Sequence, residues 1–272
     1  MAGPPMQASP NYEIIAFQFA MTLPRQPWQN YLQPDADAVP EALAFLFFAI
    51  QGDGRTLLVD TGFSAAAAQR RGLRVERSPQ VCLREAGIDP AQVTDVIVTH
   101  LHWDHAGCLD DYPQATLHLQ EQELAFATGS CMCEPLLRRP FDVDDVTSAV
   151  RALYGGRLRL HEGDAQVAPG VALHHIGGHT KGLQAVRVCT ARGPVVLAGD
   201  AAHQWQNLRR RNPFPVLVNV DDVLRGYGKL EALAGGPDHI IPGHDARVVQ
   251  RFPPLPATRD AVLLHLAPML PV

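Results

Sequence analysis

The segment Thr99-His100-Leu101-His102-Trp103-Asp104-His105-Ala106-Gly107 sets four potential ligands within six positions, directly behind the apolar run DVIVT at 95–99. The two-residue period of a strand brings His100 and His102 onto one side, and the turn that follows offers Asp104 and His105 from another direction. Such a segment can face two metal ions. Imidazole and carboxylate without a thiolate suit Zn, and also Fe, Mn or Co. At this chain's His and Asp frequencies the pattern arises by chance in roughly one of several hundred sequences of this length. It constrains the fold, because a His-rich segment becomes a metal centre only if other strand ends bring further ligands to it.

Such ligands are present. His179 stands in Gly177-Gly178-His179-Thr180-Lys181-Gly182, immediately after the strand-like VALHHI, and its flanking glycines permit a tight turn. Asp200 ends VVLAGD, where its two carboxylate oxygens can bridge two cations, and His244 lies in Ile241-Pro242-Gly243-His244-Asp245. Any one of these alone would read as structural. Four sites at four strand ends read as one centre.

The scaffold implied is mixed. Residues 12–21, 43–50 and 56–60 read as strands, the last two joined by the Gly52-Asp53-Gly54 turn. Ser78-Pro79 with Gly87 brackets a helix that leads to the strand 95–99. Residues 120–128 and 143–154 look helical. RLRLHEG, VALHHIGG, LQAVRVCT and PVVLAGD then read as four short strands, a second meander beginning near residue 157. Asp221 or Asp222 caps a helix to about Ala234, Gly235-Gly236 ends it, and DHIIPGH is a final strand before a C-terminal helical region. Sheets with helices outside them predict a layered α/β or α+β sandwich, a single domain over residues 1–272 with a core at about 43–250.

The order H-x-H-x-D-H, His, Asp, His resembles that of the metallo-β-lactamase superfamily over most of the chain. The resemblance implies an αββα sandwich with two divalent metal ions in a cleft between the sheet edges. One ion would take His100, His102 and His179, the other Asp104, His105 and His244, and Asp200 would bridge them. Asp60, which ends the strand TLLVD, would orient a metal-binding His. Two such cations would supply acidity that brings the pKa of water from ~15.7 toward ~7, and Asp104 would be placed to pass a proton to the leaving alkoxide.

Within the superfamily, HLHWDHAG, GGHTKGLQ, LAGDAAH and DHIIPGHD resemble the N-acyl homoserine lactonase group. That implies a hydrolase opening an N-acyl homoserine lactone or a related small lactone. The alternatives are a dimetal hydrolase of another ester or thioester, as in glyoxalase II, and a metal-binding module without turnover. The well-known homoserine lactonases place a Tyr, whose hydroxyl contacts the substrate carbonyl, three residues after the bridging Asp; here the position holds His203, which can donate the same hydrogen bond and is a second candidate catalytic residue beside Asp104.

Arg209-Arg210-Arg211 reads as a solvated charge run that could instead meet a substrate carboxylate. The segment holding Met21, Leu23, Trp28, Tyr31 and Leu32 is too apolar for a free tail, and either packs on the core or lies near the cleft. His118, His161, His174, His175, His239 and His265 show no ligand pattern and read as structural or exposed.

Composition removes other classes. A net charge of -5 gives no general attraction to phosphate backbones or anionic lipid, so no nucleic-acid partner is expected. No apolar run approaches the ~18 residues of a membrane span. Met1–Pro10 lacks a secretory pattern, and five scattered cysteines do not form a disulfide framework, so the chain reads as cytoplasmic with reduced thiols. A homodimer is the commonest assembly for such a protein.

Overall fold

The computed structural model describes residues 11–270 apart from Glu76, so the reading made on Met1–Pro10 lies outside the described residues. The chain runs β1 (Glu13–Met21), α1 (Pro27–Asn30), β2 (Ala44–Gly52), β3 (Arg55–Val59), α2 (Ala65–Arg70), α3 (Pro79–Glu85), β4 (Asp95–Ile97) and β5 (Thr116–Gln120). It continues with α4 (Glu121–Thr128), α5 (Pro135–Arg138), α6 (Val143–Tyr154), β6 (Leu158–His161), β7 (Ala165–Ala168), β8 (Val171–His175), β9 (Gln184–Thr190) and β10 (Gly193–Leu197). The last elements are α7 (Trp205–Arg210), α8 (Val220–Leu233), β11 (Ile240–Ile241), α9 (Val248–Arg251) and β12 (Ala261–Leu263).

The strands form a seven-stranded sheet in the order β12-β1-β2-β3-β4-β5-β6 and a five-stranded sheet in the order β11-β10-β9-β8-β7. Alternation along the strands decides which layer each residue joins. In β2, Ala44, Leu46, Phe48 and Ile50 enter the core shared with Val186, Val188, Val195 and Leu197 of the other sheet. Phe45, Phe47 and Ala49 face the opposite way, into a core with Ala67, Leu83, Leu124 and Ala152 from α2, α3, α4 and α6. Val196 of β10 packs with Val223, Tyr227 and Leu230 of α8 on the far side. The result is the αββα sandwich expected. Among the described residues no helix is long and apolar enough to cross a membrane.

Local signals explain several elements. The β2–β3 hairpin closes through Asp53 and Gly54, both at positive φ (51° and 68°), as a two-residue turn of the mirror-image kind requires. Ser78 caps α3 by accepting from the Val81 amide, with Pro79 in the first turn.

Three expectations need correction, and one strand was not anticipated. RLRLHEG forms β6, which pairs parallel with β5 and completes the first sheet, so the second meander starts at β7 instead. β5 went unanticipated because its buried positions include His118 and Gln120, whose polarity is absorbed by bonds to Asp95, His161, Gly163 and Gln184. The cap of α8 is Asn219, which accepts from the amides of Asp221 and Asp222; those two aspartates occupy the first turn. The C-terminal region holds only a four-residue helix, and its apolar run 261–263 is an edge strand paired antiparallel with β1.

Candidate metal centre and substrate cavity

Parallel pairing gathers the chemistry. β3, β4 and β5 run the same way, so Asp60 after β3 lies beside the His100 segment after β4, and the Asp60 amide bonds Ile97 O. β10 and β11 are likewise parallel, which carries Asp200 and His244 to one end of the second sheet. The two chain segments touch at Gly243, where a Cβ would stand 3.0 Å from Asp200 Oδ1 and 2.7 Å from Gly199 O, so only glycine fits.

The structure brings all seven expected ligands together. His179 Nε2 lies 3.1 Å from His100 Nε2, 2.9 Å from His102 Nδ1 and 3.3 Å from Asp200 Oδ2. On the other side, His244 Nε2 is 3.0 Å from Asp200 Oδ1 and 3.6 Å from Asp104 Oδ2, and His105 Nε2 is 3.2 Å from Asp200 Oδ1. Asp200 thus points one oxygen into each group. The sets His100/His102/His179 and Asp104/His105/His244 each have the spacing that holds one ion.

Hydrogen bonds outside the cluster fix which nitrogen of each ring faces inward. His179 donates from Nδ1 to Val216 O (2.6 Å) and His244 from Nδ1 to Ala44 O (2.8 Å). His105 donates from Nδ1 to Asp60 Oδ2 at 2.7 Å. Thr99 Oγ1 donates to the same carboxylate and is therefore free to accept from His100 Nδ1, 3.1 Å away. Asp60 itself stands at φ 62°, a conformation costly to a residue other than glycine and held here by those contacts and by the Thr99 amide. When neutral, each of these four rings turns an Nε2 lone pair inward, and burial keeps His100 and His179 neutral. Lone pairs of His100 and His179 3.1 Å apart repel unless a cation lies between them, and His105 Nε2 and Asp200 Oδ1 are buried without a hydrogen-bond partner. The donor set fits two divalent cations.

Electrostatics agree. Burial, with the neighbouring imidazoles, pushes His100 and His102 well below the ordinary histidine value, so neither offers a charge of its own. Burial acts the same way on His105 and His244, but Asp200 and Asp104 override it and raise both. Asp200 is held well below the carboxylate range: burial opposes this, and His244, His203 and His105 prevail. The centre calls for positive charge.

His203 sits inside this group. Its Nε2 is 2.8 Å from Asp200 Oδ2, its ring stacks on Phe214 at 9°, and burial lowers its pKa to about 3. A neutral ring that donates from Nε2 to Asp200 leaves Nδ1 as an acceptor, and Nδ1 is buried without a partner.

A cavity of about 500 Å³ opens on the cluster, lined by His102, Asp104, His179, Asp200, His203 and His244. Leu43, Phe45, Trp103, Phe126 and Val216 supply apolar surface, and Arg25, Arg71 and Arg139 supply charge. The N-terminal segment divides: Tyr31 packs inward and donates to Gln204 Oε1 at 2.7 Å, Thr22 and Arg25 line the cavity, and Leu23 and Trp28 are exposed. The arginine run is elsewhere, Arg210 being paired with Asp35 and Arg211 with Glu231. His118 and His161 bond each other, and His174, His175, His239 and His265 hold local contacts away from the cavity. All five cysteines are free.

Sequence reasoning missed Glu123. Fully buried at the start of α4, it accepts the Leu101 amide on one oxygen and the Gly182 amide on the other, each at 3.0 Å, and so ties the His100 and His179 loops together. The Glu121-Gln122-Glu123 helix start reads as ordinary first-turn acidity, which concealed it.

Comparison with known proteins agrees with this geometry. An N-acyl homoserine lactonase of Bacillus sp. is 28% identical over 182 residues, 61% of this chain and 67% of that protein. An N-acyl homoserine lactonase of Agrobacterium fabrum is 31% identical over 178 residues, 60% of each chain. The crystal structure of a quorum-quenching N-acyl homoserine lactone lactonase superposes with a TM-score of 0.71 at 22% identity, covering 89% of this chain and 95% of that one. Residues 46–244 match the profile of the metallo-beta-lactamase superfamily. That span opens in β2 and closes on His244, taking in every expected ligand of the cluster, and on this match the chain belongs to the metallo-β-lactamase superfamily.

Proposed function

We propose that this protein is a dinuclear metal-dependent lactonase that opens an N-acyl homoserine lactone or a related small lactone. The observation that carries the reading is the convergence of seven ligand side chains, four of their rings oriented from outside, on a cavity wide enough for an acylated lactone. The relatives named for lactone hydrolysis support the substrate class. His100, His102 and His179 would hold one ion, Asp104, His105 and His244 the other, with Asp200 shared. Bound there, the two cations would supply Lewis acidity, acidifying water and polarising an ester carbonyl.

The chain's own residues do the rest. Asp60 fixes His105 directly and His100 through Thr99, so both rings present Nε2 without reorganising. Asp104, less buried than the other ligands and lining the cavity, is the group positioned to take a proton from the attacking water and return it to the alkoxide released on ring opening. His203 lines the same cavity and braces the shared carboxylate. The reading takes zinc as the resident ion, since the N/O donors suit it, a cytoplasmic setting in line with the free thiols, and a homodimer as the assembly.

Ring opening converts a neutral ester and water into a hydroxy acid that releases a proton. Metal-loaded protein should therefore acidify weakly buffered N-hexanoyl homoserine lactone, and a chelator-stripped sample should not. No acidification by protein holding about two metal ions would sink the homoserine-lactone assignment and move the search to γ-butyrolactone, other esters and thioesters. In the active protein, His203→Ala with unaltered turnover would remove His203 from the mechanism.

A further inference from the structure

The cavity draws three guanidinium groups from three distant segments: Arg25 between β1 and α1, Arg71 after α2, and Arg139 after α5. Other arginines of the protein meet carboxylates, as Arg70 does Asp142, Arg77 Glu85 and Arg247 Asp245. The cavity arginines do not. Arg25 donates to the Gln29 carbonyl at 2.9 Å. Arg71 lies 4.4 Å above the Trp103 ring and reaches the Arg139 carbonyl at 3.5 Å. Among the described residues no carboxylate stands within ion-pair distance of any of the three.

Holding three like charges around one cavity is unfavourable, and burial lowers the pKa of both Arg25 and Arg71 against the opposing charge of Asp104. Arginine stays charged even so. Of the carboxylates that line the cavity, Asp104 and Asp200 are the two the metal ions would take. In a chain of net charge -5, the three guanidiniums thus face one cavity without a carboxylate paired to any of them among the described residues.

We infer that Arg25, Arg71 and Arg139 recognise an anionic group on the substrate, and that the lactone this protein hydrolyses carries a carboxylate on the arm away from its ring. The inference rests on the lactonase reading for the ring, but the arginines' role is separable from turnover. Planar guanidiniums bind carboxylates in pairs of parallel bonds, which suits a substrate that must be held by one end while its ester meets the cluster.

The test compares matched lactones that differ only at the arm's end: N-hexanoyl against N-adipoyl homoserine lactone, and N-octanoyl against N-suberoyl. The carboxylated member of at least one pair should be favoured about tenfold or more in kcat/KM, through KM, the order expected of one charge-assisted hydrogen bond. The preference should shrink with added salt and fall toward unity in Arg25→Gln and Arg139→Gln, each checked for its fold and metal content. A ratio near or below one in both pairs, or a ratio that the substitutions leave unchanged, overturns the inference. If no lactone is hydrolysed the lactonase reading fails, and calorimetric binding of the ring-opened N-adipoyl- and N-hexanoyl-homoserine to metal-loaded protein decides the arginines' role. Tighter binding of the dicarboxylate, lost in the two variants, sustains it, and equal binding ends it.

Discussion

The two halves of the ligand cluster are built from different chemistry. His100, His102 and His179 are neutral rings, packed at 2.9–3.1 Å around His179 Nε2, and carry no charge of their own. Asp104, His105 and His244 bring a carboxylate, and Asp60 stands directly behind His105. Asp200 faces both halves, one carboxylate oxygen toward each. The first half depends on a borrowed charge, whereas the second is compensated from within its own segment. The contrast assigns unequal consequences to superficially similar substitutions.

The largest effect belongs to the shared group. Asp200→Asn should release metal from both halves and lower turnover on the order of 10³-fold, since several kcal/mol of charge stabilisation disappear at once. Metal analysis after gel filtration, read beside the rate, checks this. Two retained ions would mean that the halves do not share a carboxylate. Asp104→Asn should come next: the three-histidine set remains intact, so the bound metal falls from about two ions to about one and turnover drops by about 10²-fold. If that variant still holds two ions with wild-type affinity, the charge asymmetry between the halves has no energetic meaning. Asp60→Asn should be the mildest, weakening metal affinity by about 10–100-fold. Competition with a chromophoric chelator should show the loss chiefly at the His105 ion, because His100 reaches Asp60 only through Thr99. Equal loss at both ions would show that the indirect link matters as much as the direct one.

The two halves were also unequally legible. Four of the proposed ligands fall in six consecutive positions after an apolar strand, so local spacing alone singled them out; His179, Asp200 and His244 were picked because each closes a strand that alternation or apolarity marked out. Asp60 also ends such a strand, but its expected role came from the family resemblance. The carbonyls of Val216 and Ala44, which orient His179 and His244, were invisible because any residue type supplies a carbonyl. Glu123 was hidden among first-turn acids, and the cavity arginines were hidden by distance, since Arg25, Arg71 and Arg139 meet only after the sandwich has closed. Of the arginine run that did stand out, 209–211, Arg210 and Arg211 are spent on surface pairs. In the fold, apolar β2 and amphipathic α6 were plain. β5 was lost to its own buried polar residues, and β12 to an apolar run that reads equally well as helix.

That last strand has a consequence for how the molecule comes into being. β12 lies against β1, and the Ile14 amide bonds His265 Nδ1 across a sequence separation of 251 residues. Closing a loop that long is entropically costly before the contact rewards it, so this edge belongs among the slow events of folding. During synthesis β1 must also wait, its outer edge without a partner, until the chain has been made as far as β12; for that interval the nascent protein exposes a bare apolar edge that invites pairing with other chains.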